Sequence, residues 1–446
     1  MSNIKNLTVG RIRNQLFSLA LPVMGTSFIQ MAYSFTDMAW VGRLGSRQVA
    51  AIGTVGILVW TTNSLAIIGK VGSEVNVAQC IGAGRLDKAQ SYASHNIMTA
   101  LALAVVWSTF VLLFSSQIID IFSLEKTVAV MAGNYLHIVT TAFPFIFLSA
   151  AFTGIYNAAG QTKVPFCINA AGLIVNMILD PTFIFLAGMG VEGAAWATWI
   201  SQAIVCLLFI GALKWKKKLF PDFSFFTKVK SIYAVSILKV GLPVAALNSF
   251  FSMIGMLMSR QASTYGGYLG VMTLTAGGQL EAIAWYTSQG FSTALSTFVA
   301  QNHSAGKYER VKKGYYLTLA ITAVIGVGCT FLFYYGGEAI FSLVTPEPDA
   351  YKAGGLYLKI DSYSMIFMMV EITIQGVFYG TGRTLPPAIV SICGNVMRLP
   401  VAAVLCSSGM GIAGVWWAIS ASSIMKGIAL YLWLWFRRRK ILLGIR

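Results

Sequence analysis

Charged residues are scarce in this chain of 446 residues, of which Asp, Glu, Lys and Arg make up only 11%. Soluble domains average about 25% charged residues, so this deficit excludes a soluble globular fold. Apolar runs of about 20 residues, long enough to cross a bilayer, recur along the whole chain. The sequence therefore predicts an integral membrane protein without a separate soluble domain.

The chain also lacks the sequence patterns of several functional classes. None of its six cysteines forms a CxxC pair, which argues against a zinc site or a disulfide framework. The Gly-rich stretches lack the Walker spacing, so no nucleotide site is expected. HxxxxD, DDxxD and HExxH runs are absent, and the polar, basic start has no short apolar region with a cleavage site. We therefore expect neither an enzyme, nor a bound cofactor, nor a signal peptide.

Twelve membrane-spanning helices are predicted instead. The 32 Lys and Arg residues outnumber the 15 acidic ones, and they concentrate in alternate loops, as the positive-inside rule describes for cytoplasmic segments. This pattern places both termini in the cytoplasm and explains the positive charge without a nucleic-acid partner. The spans begin near Leu16, Ala50, Ala93, Val128, Val164, Val191, Ala234, Leu274, Tyr315, Gly354, Leu385 and Ile412.

The two halves of the chain repeat each other. GIYNAAGQTKVP from Gly154 matches GVFYGTGRTLPP from Gly376, and the other matching segments are likewise 221 or 222 residues apart. Six spans per half keep the same orientation, so the repeat is parallel, with a pseudo-two-fold axis along the membrane normal and a cavity at the interface. We predict an all-α membrane protein with an N-lobe (1–215), a cytoplasmic linker (216–232) and a C-lobe (233–446).

Asp37 is the most informative residue, because it is a lone carboxylate in a long apolar run. An intramembrane charge costs at least about 2.5–3.5 kcal/mol, so such an acid indicates a functional site. Asp180 is a second one. At 1.5 Å per residue, Asp37 lies roughly 22 Å past Pro22, Asp180 roughly 25 Å past Lys163, and Thr198 roughly 12 Å inward from the outer surface. All three are expected in the outer half of the membrane, where the two acids would meet.

Polar neighbours would complete an oxygen-rich site around the two acids. Tyr33 lies four residues before Asp37 and Asn176 four before Asp180, so each pair shares a helix face. Two carboxylates close together in a low dielectric cannot both stay ionised without a cation. We expect the pair to take up a proton or Na⁺, with Asp37, Asp180, Asn176 and Thr198 as the Na⁺ ligands. The alternative is that the acids only hydrogen-bond helices together.

The second half has no counterpart of this acid pair, because the matching positions are near Met258 and Ala402. It offers other charges within apolar spans as candidate C-lobe ion or substrate sites: Glu281, Glu371 and Arg398, with Asp361 a weaker candidate. For each acid, the alternative is a pairing with Arg398 or with a backbone donor. Three further basic residues are assigned to span ends, where they would snorkel to the interface: Lys70, Lys239 and Arg260.

The duplicated pattern resembles the multidrug and toxic compound extrusion (MATE) family of cation-coupled antiporters. The resemblance covers essentially the whole chain and rests on Pro22, DMAWVGRLG from Asp37, AQCIGAGR from Ala78, the GIYNAAGQT turn and the NMILDP run that ends at Pro181. It implies twelve helices in two V-shaped lobes, and export of organic cations and other amphiphiles against inward H⁺ or Na⁺ flow. The residues that look like the N-lobe cation site of the DinF-like branch are Pro22, Asp37, Asn176, Asp180 and Thr198.

The leading hypothesis is a monomeric secondary antiporter of a bacterial inner membrane. It would exchange a small cationic or amphiphilic substrate for the coupling ion by alternating access, with Pro22 leaving the first helix able to bend with ion occupancy. A flippase for lipid-linked precursors is the alternative. A flippase would need cationic residues in the central cavity to hold phosphate, whereas the buried N-lobe charges are acidic, which disfavours it.

Overall fold

The computed structural model describes residues 4–122, 124–216, 219–220, 223–343, 345 and 347–444, so Lys217, Lys218, Pro221 and Asp222 of the predicted linker lie outside the described residues. Within the described ranges the chain is helical, as expected for backbone that must satisfy its own hydrogen bonds in lipid. The helices are α1 (Ile12–Gly42), α2 (Ser46–Gly82), α3 (Leu86–Leu113), α4 (Ser115–Asp120), α5 (Lys126–Thr140), α6 (Phe143–Ala158), α7 (Lys163–Pro181), α8 (Gly190–Gly211), α9 (Ser231–Ser304), α10 (Tyr308–Ser342), α11 (Pro348–Ser362), α12 (Met365–Gly380), α13 (Leu385–Leu405) and α14 (Ile412–Leu442).

These helices account for the predicted spans. Among the described residues, nine helices are long and apolar enough to cross a bilayer, and the pair α5 and α6, bent by 45°, adds a tenth. Helix α9 has 74 residues, far more than one span needs, and it is interrupted at Gly267, whose φ of 56° lies in the left-handed region that glycine adopts readily. It therefore supplies two spans. The α11 and α12 pair supplies the last, so every predicted start falls in a helix of its own or in its own half of α9.

The chain divides into two compact units. The first unit consists of Met1–Leu7 and Gly25–Ala245, and the second unit of Thr8–Met24 and Ala246–Arg446. Helix α1 therefore belongs to both, since its residues up to Met24 are part of the second unit and its residues from Gly25 onward are part of the first. The change of unit falls just after Pro22, which lies inside α1.

Glycines permit close helix contacts inside each unit, and these contacts follow the sequence repeat. Gly154 lets α6 approach the backbone carbonyl of Lys70 on α2, and Gly376 lets α12 approach the backbone carbonyl of Ser292 on α9. Both members of one contact lie 222 residues from their counterparts in the other. The repeat seen in the sequence is therefore also a repeat of helix packing.

Replacing Gly154 by alanine is expected to lower the free energy of unfolding by about 1–3 kcal/mol, because the new methyl group would overlap a backbone carbonyl that cannot move alone. Gly56→Ala on α2 is the matched control, since nothing lies within 4 Å of its Cβ position. There, alanine should stabilise the helix by about 0.5–1 kcal/mol. Thermal unfolding in one detergent compares the two variants, and equal stabilities would contradict the close approach of α6 to α2.

Lys70 lies inside α2, which has 37 residues and continues to Gly82, roughly 18 Å further along the helix. A helix of this length is longer than the hydrocarbon core of a bilayer, so the end of α2 need not be the end of the span. The position of Lys70 near a span end therefore stays a prediction.

Candidate ion-binding site

Asp37 and Asp180 meet inside the first unit. Their side chains lie close enough to interact both by charge and by hydrogen bonding. Asp180 is 1% exposed, and the fully buried Asn176 donates from Nδ2 to Asp180 Oδ1 at 3.2 Å. The structure thus brings together two acids from α1 and α7 and the amide one turn before the second acid. Because ionised carboxylates only accept hydrogen bonds, the contact between the Asp37 and Asp180 carboxyl groups needs a proton or a cation between them.

The end of α7 positions Asp180. Pro181 has no N–H to offer the carbonyl of Met177, so the regular helix loses a hydrogen bond at this turn. The chain then widens into a π-helical turn, Thr182–Leu186, of a kind that often occurs at functional sites. Thr182 donates its hydroxyl to the carbonyl of Ile178 at 2.7 Å. Asp180 therefore sits on the last regular turn of α7, directly before the irregular backbone.

Hydroxyl groups surround the acids. Ser201 Oγ donates to the backbone carbonyl of Thr198 at 2.9 Å, so in the 2.7 Å contact between Tyr33 and Ser201 the tyrosine is the donor. The hydroxyl of Thr198 contacts those of both Tyr33 and Tyr135. Sequence reasoning placed Tyr33 and Thr198 here but missed Tyr135 and Ser201. The available signal for Ser201 was its position one turn after Thr198.

Three oxygens of this site are buried without a hydrogen-bond partner in the described structure: Asp37 Oδ1, Asp180 Oδ2 and Asn176 Oδ1. A buried polar group left unsatisfied costs about 1–3 kcal/mol, and more when it is charged. Three such atoms on two neighbouring helices are therefore unlike ordinary packing. All are acceptors when the acids are ionised, so a proton or a cation would satisfy them.

The donor set favours a hard monovalent ion. No group of three or more His, Cys, Asp or Glu residues that could hold a metal occurs in the described ranges. The site instead combines two carboxylates with an amide oxygen and hydroxyls, and oxygen ligands suit hard cations rather than Zn²⁺ or Cu²⁺. The residues fit Na⁺ as well as H⁺.

A second polar cluster lies inside the second unit, around Glu371 on α12. Glu371 accepts hydrogen bonds from Ser391 at 2.5 Å and Gln375 at 3.1 Å, and it forms a salt bridge with Lys426 at 3.4 Å. Lys426 also donates to Asn395 Oδ1 at 3.1 Å. Sequence reasoning singled out Glu371 and expected its partner to be Arg398 or a backbone donor. The ion partner in the structure is Lys426 on α14.

Arg398 on α13 has serine partners. Its Nε donates to Ser422 at 2.7 Å and its NH2 group to Ser423 at 3.2 Å. Glu281 on α9 interacts with Arg398 by charge and accepts a hydrogen bond from Tyr357 at 3.2 Å. The pairing of Glu281 with Arg398, given above as the alternative to a functional role, is present as a charge interaction.

Asp361 also belongs to this cluster. Ser364 donates to its Oδ1 at 3.1 Å, while its Oδ2 is buried without a partner among the described residues. It interacts by charge with Glu281 and Arg398. The three candidate acids of the second half thus lie in one electrostatic network with two cations.

The two clusters occupy corresponding places in the repeat but differ in charge. Position 176 is Asn in the first half and its counterpart is Arg398, while Asp180 corresponds to Ala402 and Val205 to Lys426. The hydroxyl frame is retained, because Tyr135 corresponds to Tyr357 and Ser201 to Ser422. In the part of the chain that the structure describes, the Asp37–Asp180 pair of the first half therefore has no cation partner, whereas the second half supplies cations to its acids from its own side chains.

The comparisons with known proteins follow this duplicated architecture. A model of the MatE family matches residues 22–182 and 243–404, once in each half of the chain. The probable multidrug resistance protein NorM of Thermotoga maritima is 28% identical over 434 residues, which cover 94% of this chain and 91% of that protein. Crystal structures of MATE in the bent and straight conformations align over 99% and 98% of this chain and 98% of theirs, with TM-scores of 0.93 and 0.91 and 22% identity. The predicted all-α architecture of twelve membrane-spanning helices in a duplicated pattern is confirmed.

Proposed function

Because this chain belongs to the MatE family, whose model matches both of its halves, we propose that it is a secondary antiporter that exports drugs, organic cations or toxic amphiphiles in exchange for inward H⁺ or Na⁺. The name of the Thermotoga maritima relative, a probable multidrug resistance protein, supports this substrate class. The observation that carries the ion coupling is the Asp37–Asp180 pair, which together with Asn176 has three buried oxygens without a hydrogen-bond partner among the described residues. No enzymatic step is required.

Ion binding at this pair would drive the conformational cycle through differential affinity. Two carboxylates without a cation repel each other and favour a hydrated, open first unit. A bound ion neutralises one of them and removes the penalty for closing the unit around the pair. A ligand shifts a two-state equilibrium only as far as its affinities for the two states differ, and this electrostatic penalty supplies the difference.

Helix α1 would transmit ion occupancy along its length. Asp37 lies in the second half of this helix and Pro22 in the first half. Pro22 has no backbone N–H, so it cannot donate the hydrogen bond that a regular helix makes to the residue four positions earlier. Kinks in long helices arise mostly at proline, so Pro22 is the proposed hinge. The ion would enter from the outside, and its binding would bend or straighten α1 and displace the substrate.

Topology and assembly complete the proposal. We propose that both termini lie in the cytoplasm, which the basic loops favour, and that the protein lies in the inner membrane of a bacterial cell. One chain contains both halves of the repeat, so a monomer suffices for transport. The substrate would be a small cationic or amphiphilic molecule that enters from the cytoplasm or the inner leaflet.

The direct test is efflux of a fluorescent organic cation from proteoliposomes, with a proton gradient or a sodium gradient imposed separately. One of the two gradients should drive efflux by itself, and an ionophore that collapses that gradient should abolish it. Protein-free liposomes provide the baseline. The gradient that drives transport names the coupling ion.

Failure of both gradients with a wide panel of dyes would overturn the antiport proposal. Assay of fluorescent lipid movement between leaflets in the same vesicles would then test the flippase alternative. Efflux that persists without any gradient would instead indicate a passive pore.

A further inference from the structure

Helix α2 carries a buried acid that the proposed ion site does not use. Glu74 is 5% exposed and lies eight residues, roughly 12 Å, before the end of α2 at Gly82. Arg85 in the loop that follows and Lys88 in the first turn of α3 assign this end of the helix to the cytoplasm. Glu74 is therefore a buried carboxyl in the cytoplasmic half of α2. An acid in that position is a functional candidate, since its burial is costly.

Two groups face Glu74. Asn157 on α6, itself 2% exposed, donates from Nδ2 to Glu74 Oε2 at 3.5 Å. Lys70, one turn earlier on α2, acts on Glu74 through its charge rather than by a hydrogen bond. The close approach that Gly154 permits brings α6 against this turn of α2. We call Lys70, Glu74 and Asn157 the Glu74 site.

The other helices packed on α2 bring charged and titratable groups, but Lys70 is the one whose charge acts on Glu74 among the described residues. Helix α6 contains no charged residue. Helix α3 carries Asp87 and Lys88 near its start, and His95, whose ring nitrogens contact the carbonyl of Ser91 and the backbone N–H of Lys230. Helix α5 carries Lys126, and His137, whose Nδ1 contacts the carbonyl of Gly133. Helix α9, which contacts Gly72 of α2 through Ile237, carries Lys239.

The composition of the Glu74 site fits a proton and not a metal ion. A sodium ion needs several oxygen ligands, whereas here a single carboxyl faces an amide N–H donor and an ammonium group. A carboxyl with one donor and one nearby positive charge can still exchange a proton, and proton transfer needs no second carboxylate. The ordinary role for such a group is general acid and base chemistry.

We propose that Glu74 is a proton-binding site that passes the coupling proton from the Asp37–Asp180 pair to the cytoplasm. This rests on the proposed antiport and adds a release step to it. The proton leaves a carboxyl of the pair, is held by the Glu74 carboxylate, and is given up to cytoplasmic water, while Lys70 keeps its charge throughout. The two sites differ in depth by about 13 Å, so the transfer passes through water rather than by direct contact.

The test separates proton release from substrate movement. Exchange of labelled for unlabelled organic cation at equal pH on both sides needs no net proton release, whereas net efflux driven by a pH gradient does. Glu74→Gln is expected to leave exchange unchanged and to slow gradient-driven efflux by about 10²-fold, the contribution of one positioned proton carrier. Glu74→Asp, which keeps a carboxyl, should restore most of that loss. Glu192→Gln, an exposed acid on α8 that accepts from Asn134, is the matched control and should behave like wild type.

Gradient-driven efflux by Glu74→Gln at the wild-type rate would overturn the proposal. So would a loss of exchange together with net efflux that Glu74→Asp does not restore, because that result indicates a structural role.

Infrared spectroscopy tests the site without transport. As the pH falls, the protonated-carboxyl C=O absorption of wild-type protein should contain a component that the spectrum of Glu74→Gln lacks. Wild-type protein that shows this component but no proton-driven transport would refute the antiport and not the Glu74 proton site. Identical pH-dependent spectra for wild type and Glu74→Gln would refute the site itself.

Discussion

Asp37→Asn is expected to reduce ion-driven efflux by about 5–150-fold, the usual range of a coupling free energy between two sites, without lowering stability. The substitution removes one of two carboxylates that repel each other in a buried site, and the amide keeps the shape of the side chain. A bound ion at a hundred times its dissociation constant should stabilise wild type by about 2.7 kcal/mol, and the variant by close to nothing. Efflux from proteoliposomes and ion-dependent thermal unfolding measure the two effects.

Asp87→Asn provides the control for this result, because Asp87 is an exposed acid in the first turn of α3. It should transport and respond to the ion as wild type does. Wild-type efflux by Asp37→Asn would show that the acid pair only joins α1 to α7. Loss of both transport and stability would argue the same, since a purely structural acid stabilises the fold that it joins.

Lys426→Met is expected to lower the free energy of unfolding by about 3–5 kcal/mol, because it leaves the carboxylate of Glu371 buried without its cation. The two side chains are 8% and 4% exposed, and their charged atoms lie 3.4 Å apart. Replacing both partners together, in Lys426→Met/Glu371→Gln, should recover most of this loss, since a neutral pair of similar volume is often as stable as a buried ion pair. Thermal or denaturant unfolding in detergent provides the measurement.

The chain supplies a matched comparison at nearly the same separation. Arg47 and Glu125 also form a salt bridge, at 3.3 Å, but their side chains are 64% and 55% exposed. Arg47→Met should therefore change stability by less than about 1 kcal/mol. If the Arg47 and Lys426 variants lost equal stability, burial would not govern the strength of these pairs. If the double variant at Lys426 and Glu371 recovered nothing, Lys426 would act by packing rather than by charge.

The sequence predicted the helical spans well because hydrocarbon imposes one strong requirement, a long apolar stretch, and the chain meets it repeatedly. It did not predict where spans break. One helix break falls between Thr140 and Phe143 and another between Ser362 and Met365. No charged residue stands within either break to mark it in the sequence. Only the repeat relates them, since the second bend lies 222 residues after the first.

The acids of the candidate site could be found from sequence because an intramembrane carboxylate is costly and therefore conspicuous. Tyr135 and Ser201 could not, because a buried hydroxyl is cheap to place and common in helices. Lys426 was missed for a different reason. It lies on the same helix as the basic run that begins at Arg437, about three turns further on, and only the structure shows that it is buried beside Glu371.

The tethered cations of the second unit bear on transport stoichiometry. A lysine or arginine side chain cannot leave its site, so the carboxylate of Glu371 keeps the same counter-ion through every turn of the cycle. Only the Asp37–Asp180 pair of the first unit, which has no cation partner among the described residues, would be able to load an ion on one side of the membrane and unload it on the other. Ion binding and coupling in the duplicated chain would thus depend on one half alone. With one monovalent ion taken up per singly charged substrate expelled, transport would move no net charge and would not respond to the membrane voltage.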